Sequence, residues 1–202
     1  ICHCLVGSEM CIRDRLSSDG MTLAIGATQN DAPVSQNYNN AGHVRVFRYS
    51  SGSWSQLGSD IDGASGGDQS GSAVSLSSDG NIIAIGAWEH DYEANYPNPR
   101  TGQVRIFQYQ NSNWSQIGAD IDGEMEGENM GYSLALSGDG SKLVAGVPRG
   151  SALGDIRIYN NINNNWIKED SEFDGYSSVD MSIDGNTVIY EYQSYAYLQQ
   201  YN

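Results

Sequence analysis

Two stretches of sequence, sixty positions apart, decide the fold: LSSDGMTLAIGA at 16–27 and LSSDGNIIAIGA at 76–87. The same offset aligns GHVRVFRY (42–49) with GQVRIFQY (102–109), and WSQLGSDIDG (54–63) with WSQIGADIDG (114–123). Roughly 25 of the 56 aligned positions between 16 and 71 are identical, which identifies an internal repeat rather than chance similarity.

A third copy follows with GYSLALSGDGSKLVAGVP (131–148) and GDIRIYNN (154–161), and a fourth lies at 178–201. Each copy carries an Asp-Gly pair, which accepts the positive φ of a tight hairpin turn at little cost. The aspartates of these pairs are Asp19, Asp79, Asp139 and Asp184.

Each repeat predicts four short strands. In the second copy these are 72–76, 82–87, 103–109 and 114–117, and β-branched and aromatic residues dominate them. Four strands recurring every 45 to 60 residues or so are typical of β-propeller blades, which bury their faces by stacking on one another. A parallel β-helix has much shorter rungs. We therefore predict an all-β fold, a β-propeller fragment of about three and a half four-stranded blades that forms an open arc.

The charge balance limits the kinds of partner. The chain has 25 acidic and 10 basic residues, a net charge of -15. Binding to phosphate backbones requires clustered Lys and Arg, so nucleic acid is not an expected partner. The apolar runs are far shorter than the ~20 residues that cross a bilayer, so no membrane insertion is expected.

The first fifteen residues differ in composition from the rest. They hold all three cysteines, Cys2, Cys4 and Cys11. Residues 4–15, CLVGSEMCIRDR, resemble a translated sequencing-library adapter. Zinc sites use spaced Cys or His pairs, which the adjacent Cys-His-Cys does not provide. We therefore expect 1–15 to be a non-native segment, disordered or irregular, and exclude it from the fold.

The repeat unit resembles the FG-GAP-like repeat of integrin α-chain propellers. Ser70-Gly71 and Met130-Gly131 stand where that family has Phe-Gly, and Gly86-Ala87 and Gly146-Val147-Pro148 stand for its Gly-Ala-Pro. The resemblance covers 16–202 and implies a partial blade at 16–63, blades at 71–123 and 131–174, and a partial blade at 176–202. The remaining blades of a longer propeller are then expected partners of this segment.

The variable loops are the best candidates for ligand binding. The second copy carries WEHDYEANYPNPRT (88–101) between its second and third strands, where the third copy has almost nothing. Insertions in repeats project from one face, which is often the binding face. The predicted ligand-binding residues are Trp88, Tyr92, Tyr96 and Arg100, although packing of these aromatic rings back onto the blade is the simpler alternative.

Integrin-type propellers bind calcium in a D-x-(D/N)-x-D-G loop, as the resemblance implies, but each Asp-Gly turn here keeps a single carboxylate. The segment 120–124 is richer, and Asp120, Asp122 and Glu124 are the candidate calcium ligands. A solvated acidic turn explains the same pattern.

No nucleophile elbow, metalloprotease, P-loop or dinucleotide motif is present, and we predict no enzymatic activity. The expected function is recognition or adhesion by a secreted or surface-displayed protein that binds a protein or a glycan. The alternative is an accessory propeller of a carbohydrate-active enzyme.

Overall fold

The computed structural model describes residues 13–30, 40–91, 100–149, 154–169, 173–175, 178–192 and 195–200. Within these ranges the regular secondary structure is entirely β, arranged as four antiparallel sheets. We call them blades I to IV in chain order.

The strands of blade I are β1 (Arg13–Leu16), β2 (Thr22–Ala27), β3 (His43–Ser50), β4 (Ser53–Gln56) and β5 (Ile61–Asp62). Those of blade II are β6 (Ala73–Leu76), β7 (Ile82–Ala87), β8 (Gln103–Gln110), β9 (Asn113–Gln116) and β10 (Ile121–Asp122). Those of blade III are β11 (Ser133–Leu136), β12 (Lys142–Val147), β13 (Gly154–Ile162), β14 (Asn165–Lys168) and β15 (Phe173–Gly175). Blade IV comprises β16 (Val179–Met181), β17 (Thr187–Tyr192) and β18 (Tyr195–Gln200).

The four strands predicted for blade II are confirmed to within two residues at each end. A fifth strand of two or three residues was not expected. These strands, β5, β10 and β15, pair with the first residues of the third strand, on the same edge as the fourth strand. The fourth strand of a blade is thus interrupted after Gln56 or Gln116 and resumes at Ile61 or Ile121. Both isoleucines are buried, which holds the acidic segment against the blade instead of leaving it as a free turn.

The blades pack face to face along an arc. The first strands contact one another in the order β1, β6, β11 and β16, and within the described strands β1 and β16 make no comparable contact. Among the described residues, three apolar clusters fill the junctions, and each combines one face of a blade with the facing side of the next blade. The propeller-type architecture and its open arc are therefore as predicted.

A close approach of two glycines explains the repeated Gly motifs. Gly86 in β7 lies against Gly131, which precedes β11, and a Cβ at Gly86 would overlap the Gly131 carbonyl oxygen. Gly26 and Gly71 make the same contact between blades I and II. Only glycine at the second-strand position allows the two backbones to approach this closely.

Tryptophans join the outer edges of neighbouring blades, as their recurrence suggests. The Trp114 indole N–H donates to the Leu57 carbonyl of blade I at 2.7 Å, and Trp166 donates to the Ile117 carbonyl of blade II at 3.1 Å. Trp114 is only 8% exposed, whereas Trp54 of blade I, with no preceding blade in the described chain, is 39% exposed.

The Asp-Gly turns are closed by their own hydrogen bonds. The Asp139 carboxylate accepts from the Ser137 hydroxyl at 2.7 Å and from the Ser141 backbone N–H at 2.9 Å. These two bonds lower the pKa of Asp139, and the pKa values of the other three turn aspartates are lowered by matching bonds. The Gly138 N–H also donates to Ile183 at 2.7 Å, which ties the turn to the next blade.

The segment expected to be irregular is in part a strand. Residues 1–12 lie outside the described chain, but the backbone of Arg13–Leu16 pairs with β2 in the register that β6 and β11 use. The first strand of a blade needs only an extended backbone to pair. The side chains do not fit the pattern, because Asp14 and Arg15 are exposed where Val74 and Ala135 are buried in the other blades.

Candidate functional site

Two kinds of loop meet at one end of the blades, which we call the loop end. One connects the second strand of a blade to the third, and the other connects one blade to the next. A bridge between Gly102 and Met130 joins them at blades II and III, and the Asn129 and Met130 N–H groups donate to the carbonyls of Arg100 and Thr101 at 3.1 and 2.9 Å. The Asp-Gly turns lie at the opposite end of each hairpin.

An aromatic cluster forms at the loop end. Trp88, which directly follows β7, meets the ring of Tyr132 edge to face at 6.0 Å between centroids. The Arg100 guanidinium lies over the Trp88 ring at 5.7 Å, within cation–π range. The structure therefore brings together two of the four predicted ligand-binding residues, while Tyr92 and Tyr96 lie outside the described residues.

Arg100 is held in place through its backbone. Its φ is +43°, an uncommon value for a residue with a side chain, and its N–H donates to the Asp91 carboxylate at 2.7 Å. Its guanidinium is 3.8 Å from the Glu89 carboxylate, and the side chain remains 44% exposed. The guanidinium is thus partly exposed to solvent and lies beside an indole ring.

Tyr132 was not a predicted site residue. It is more than one-third exposed, and Ser72 occupies its position in blade II. The available signal was that blade III has a tyrosine directly after Gly131, where blade II has a serine after Gly71. Comparison of the repeats does not reveal that the loops of blades II and III touch, so it could not assign the tyrosine to the site.

A buried ion pair holds the loop that carries Tyr132. Glu128, in the loop before blade III, accepts from Arg157 in β13 at 2.7 and 3.0 Å, and neither side chain has any solvent exposure. Arg149 also donates to Glu128 at 3.0 Å and reaches Asp155 at 2.7 Å. Burial raises the pKa of the Glu128 carboxyl, but the bonds from Arg157 outweigh it, so the pKa lies below its usual value.

Blade II has a different network at the same place. Asp68 occupies the position of Glu128 in the repeat and lies 2.9 Å from Nδ1 of His90, and both residues are buried. On the other side of the imidazole, the Gln103 amide nitrogen is 3.2 Å from Nε2 and donates to Asp122 at 2.9 Å. Burial lowers the pKa of His90, but the hydrogen bond and charge of Asp68 and the charge of Asp122 outweigh it, and the pKa is raised.

These networks lock the loops to the blades. In each case an acid from the loop between blades is paired with a basic group of the following blade. Arg105 of blade II also donates to the Asp62 carbonyl at 2.6 Å. The recurrent Arg45, Arg105 and Arg157 at one strand position were the sequence signal for such a role. The two acids were harder to identify from the sequence, because one repeat has an aspartate (Asp68) and the other a glutamate (Glu128). The chain also has many carboxylates on its surface.

The predicted calcium ligands are bonded to other groups. Asp120 accepts from the Gln116 amide at 2.6 Å, and Asp122 from the Gln103 amide. Glu124 is paired with Lys168 of blade III at 2.8 Å. Within the described ranges, no three carboxylate, imidazole or thiol side chains lie together as a metal-ligand set.

A groove of about 410 Å³ lies on the outer edge between blades II and III. Ile162, Ile167, Asn163 and Asn165 line it, beside the ring of Trp166. The indole N–H of Trp166 already donates to blade II, so its ring serves packing between blades. In the described part of the chain, no helix is sufficiently long and apolar to cross a membrane.

Comparison with solved structures yields propeller-type folds. A "putative 6-phosphogluconolactonase" from Bacteroides uniformis matches with a TM-score of 0.60 at 14% identity, over 94% of this chain and 50% of that chain. Hydrazine synthase from Kuenenia stuttgartiensis matches with a TM-score of 0.58 at 17% identity, over 92% of this chain and 57% of that one. TolB from Acinetobacter baumannii matches with a TM-score of 0.53 at 13% identity, over 94% and 40%.

The chain thus spans about half the length of the structures it matches. At these identities the likeness shows the fold alone, because one fold supports many activities. No family model and no curated protein matches the sequence.

Proposed function

We propose that this chain is a non-enzymatic recognition module of a secreted or surface-displayed protein, and that it binds a glycan at the loop end. The observation that supports this proposal is the cluster of Trp88, Tyr132 and Arg100. Two aromatic rings offer an apolar surface to the faces of a sugar, and a guanidinium offers planar donors to hydroxyl or carboxylate oxygens. A protein ligand is the other class, and a stable protein interface buries about 800 Å² on each partner, more than three side chains provide.

Rigidity of the underlying structure favours binding. The buried Glu128–Arg157 pair holds the loop that carries Tyr132. The backbone of Arg100 is held by the Asn129 N–H, which donates to its carbonyl, and by the Asp91 carboxylate, which accepts from its N–H. A surface fixed before binding loses little conformational entropy when the ligand arrives. The cluster also spans two blades, so its geometry depends on their packing.

The same networks count against a catalytic role. Both ring nitrogens of His90 are engaged inside the blade, by Asp68 and by Gln103, and the residue is only 8% exposed. General acid–base catalysis requires a proton-transfer group within reach of substrate. The lactonase name of two structural neighbours comes with 14% identity and does not transfer an activity.

The blades are, in this proposal, of the FG-GAP-like type. The contacts of Gly26 with Gly71 and of Gly86 with Gly131 support it, since they join the position of the family's Phe-Gly to that of its Gly-Ala-Pro across a blade junction. Further blades of a longer propeller are then its natural partners.

The test is a binding screen with Trp88→Ala. The wild-type chain and the variant are applied to an array of neutral and uronic-acid oligosaccharides. We expect at least one glycan to bind the wild type and to lose about tenfold or more in affinity in the variant, because aromatic anchors carry much of the binding energy. Met125→Ala is the matched control, an exposed apolar residue on the same loop as Tyr132 but outside the cluster. Binding by no glycan, or equal binding by Trp88→Ala, overturns the proposal.

A further inference from the structure

The imidazole ring of His90 lies in a buried chain of hydrogen bonds that joins the loop end to strand β10. His90 belongs to the loop between β7 and β8, and its Nδ1 lies 2.9 Å from the Asp68 carboxylate. Its Nε2 lies 3.2 Å from the amide nitrogen of Gln103, the first residue of β8. The same nitrogen donates to Asp122 at 2.9 Å and to Asp120 at 3.3 Å. His90 and Gln103 are only 8% and 3% exposed, so these bonds are shielded from solvent.

The neighbours of Gln103 determine the orientation of its amide. Ionised carboxylates only accept hydrogen bonds, so the amide presents its NH₂ group to them and to the ring of His90. The Gln103 oxygen is buried, and among the described residues it has no hydrogen-bond partner. Nε2 of His90 is then the acceptor, and the ring hydrogen is on Nδ1, where Asp68 accepts it. The arrangement therefore fits a neutral imidazole in one tautomer.

A proton on Nε2 of His90 is incompatible with this orientation of the amide. An imidazolium donates from both nitrogens, so its Nε2–H would face the NH₂ group of Gln103, donor against donor. Half a turn of the amide about its terminal bond removes the conflict, because the unpartnered oxygen then accepts from Nε2. The same rotation takes the NH₂ group away from Asp120 and Asp122. Protonation at the loop end thus removes a hydrogen bond from each of these two acids.

The charges around His90 favour its protonation. Two acids and one base act on the ring from the elements packed against it, namely Asp68 of the loop between blades I and II, Asp122 of β10 and Arg105 of β8. Its own loop adds Glu89 and Asp91, which bind Arg100 instead. Burial lowers the pKa of His90, but the hydrogen bond and charge of Asp68 and the charge of Asp122 outweigh it, so the pKa lies above its ordinary value. The ring therefore gains its proton in a range where other side chains keep their charge.

Blade I has the same two chemical groups in exchanged positions. Asn30 and His43 stand where blade II has His90 and Gln103. Blade III has no histidine, and an ion pair between Arg149 and Asp155 lies at this place instead. The repeat thus provides natural replacements for both members of the pair in blade II.

We propose that His90 and Gln103 form a proton-dependent switch between the loop end and the acidic segment 120–122. With His90 neutral, the Gln103 amide donates to the acids at 120 and 122. With His90 protonated, the amide turns over, accepts from Nε2 and releases both carboxylates. The proton comes from solvent, and no covalent bond of the chain changes apart from the new N–H. The switch lies inside blade II, so it does not depend on the ligand proposed for the aromatic cluster.

Nitrogen NMR of the isotope-labelled full chain tests the switch. The pH is lowered from about 8 to about 5, a range in which histidine titrates and ordinary carboxylates stay ionised. At the upper end, the ring nitrogen shifts of His90 should show the hydrogen on Nδ1. As His90 gains its proton, the side-chain NH₂ signals of Gln103 should move with the same midpoint. Their hydrogen exchange, corrected for its intrinsic pH dependence, should become about tenfold faster, because bonds to charged groups are lost. The Gln116 amide also donates to Asp120 and is the internal reference, with exchange unchanged.

Two variants taken from the repeat assign the transition to His90. His90→Asn introduces the residue that blade I has at this position, and the transition of the Gln103 amide should disappear. His43→Gln introduces the residue that blade II has at the equivalent position, removes the other histidine of the described residues, and should leave the transition unchanged. The wild-type spectra decide the matter even if a variant does not fold. Hydrogen on Nε2 at the upper pH, a Gln103 transition with a different midpoint, or a transition that persists in His90→Asn would each overturn the switch.

Discussion

Removing Arg157 tests the idea that buried ion pairs lock the loop end to the blades. The perturbation is Arg157→Met, which keeps much of the apolar stem and removes the guanidinium. Glu128 then loses two hydrogen bonds, of 2.7 and 3.0 Å, in a place where neither partner is exposed.

The expected loss in the free energy of unfolding depends on the hydrogen-bond donors that Glu128 keeps in the variant. Loss of one partner of a buried pair costs about 3–5 kcal/mol, because a buried charge is left uncompensated. Here Arg149 at 3.0 Å and the Glu124 N–H at 2.6 Å still bind the carboxylate, so we expect the lower end, about 3 kcal/mol. The double variant Glu128→Gln/Arg157→Met removes both charges and should cost about 2 kcal/mol less than the sum of the two single variants.

Urea unfolding followed by circular dichroism measures these differences. With an m-value of about 2 kcal/mol per molar, the midpoint of Arg157→Met should fall by about 1.5 M. Lys168→Met is the matched control, since its pair with Glu124 has a similar length of 2.8 Å but is solvent-exposed, and it should cost about 1 kcal/mol or less. Equal costs for Arg157→Met and Lys168→Met, or additivity in the double variant, would refute the reasoning.

Three further outcomes are expected. Gly86→Ala should destabilise by about 1–3 kcal/mol in thermal melts, because its Cβ meets the backbone of Gly131. Stability should also fall at acidic pH and again as the pH rises past that of His90 titration. The turn aspartates have pKa values lowered from 3.8, so their contribution to stability is complete above that value and is lost as the pH falls. The pKa of His90 is raised from 6.5, so its contribution to stability is complete below 6.5 and is lost as the pH rises through the raised value. A stability–pH curve that is flat on both sides contradicts this. Excess chelator should leave the melting midpoint unchanged, because the acids of 120–124 are bonded to amide and ammonium groups. A lower midpoint would instead support calcium binding by these acids.

Periodicity determined most of the fold because every element of a blade repeats. The strand alternation, the Asp-Gly turns and the recurrent tryptophans each correspond to an observed strand, turn or blade contact. The short strand β10 was missed because two residues, Ile121 and Asp122, cannot display an alternating pattern. Pairing of Arg13–Leu16 was missed because composition reports on side chains, whereas strand pairing requires only a free backbone edge.

The candidate site was harder to predict because it depends on the packing of blades. Trp88 and Arg100 could be chosen from one loop, since both lie in the insertion between β7 and β8. Tyr132 belongs to the next loop along the chain and meets Trp88 only because the two loops come together at the loop end. Pairs such as Glu128 with Arg157 are set by three-dimensional contact between residues of ordinary type, and a single sequence contains no sign of which acid is buried.

Mapping the ligand footprint tests the central claim most directly. Amide and indole NMR shifts of the isotope-labelled chain are followed as a glycan selected from the array is titrated. We expect the largest changes at the Trp88 indole N–H and in the two loops that carry Arg100 and Tyr132, with the affinity reduced in Trp88→Ala. Changes confined to the groove beside Trp166, or to the Asp-Gly turns at the opposite end, would contradict recognition at the loop end.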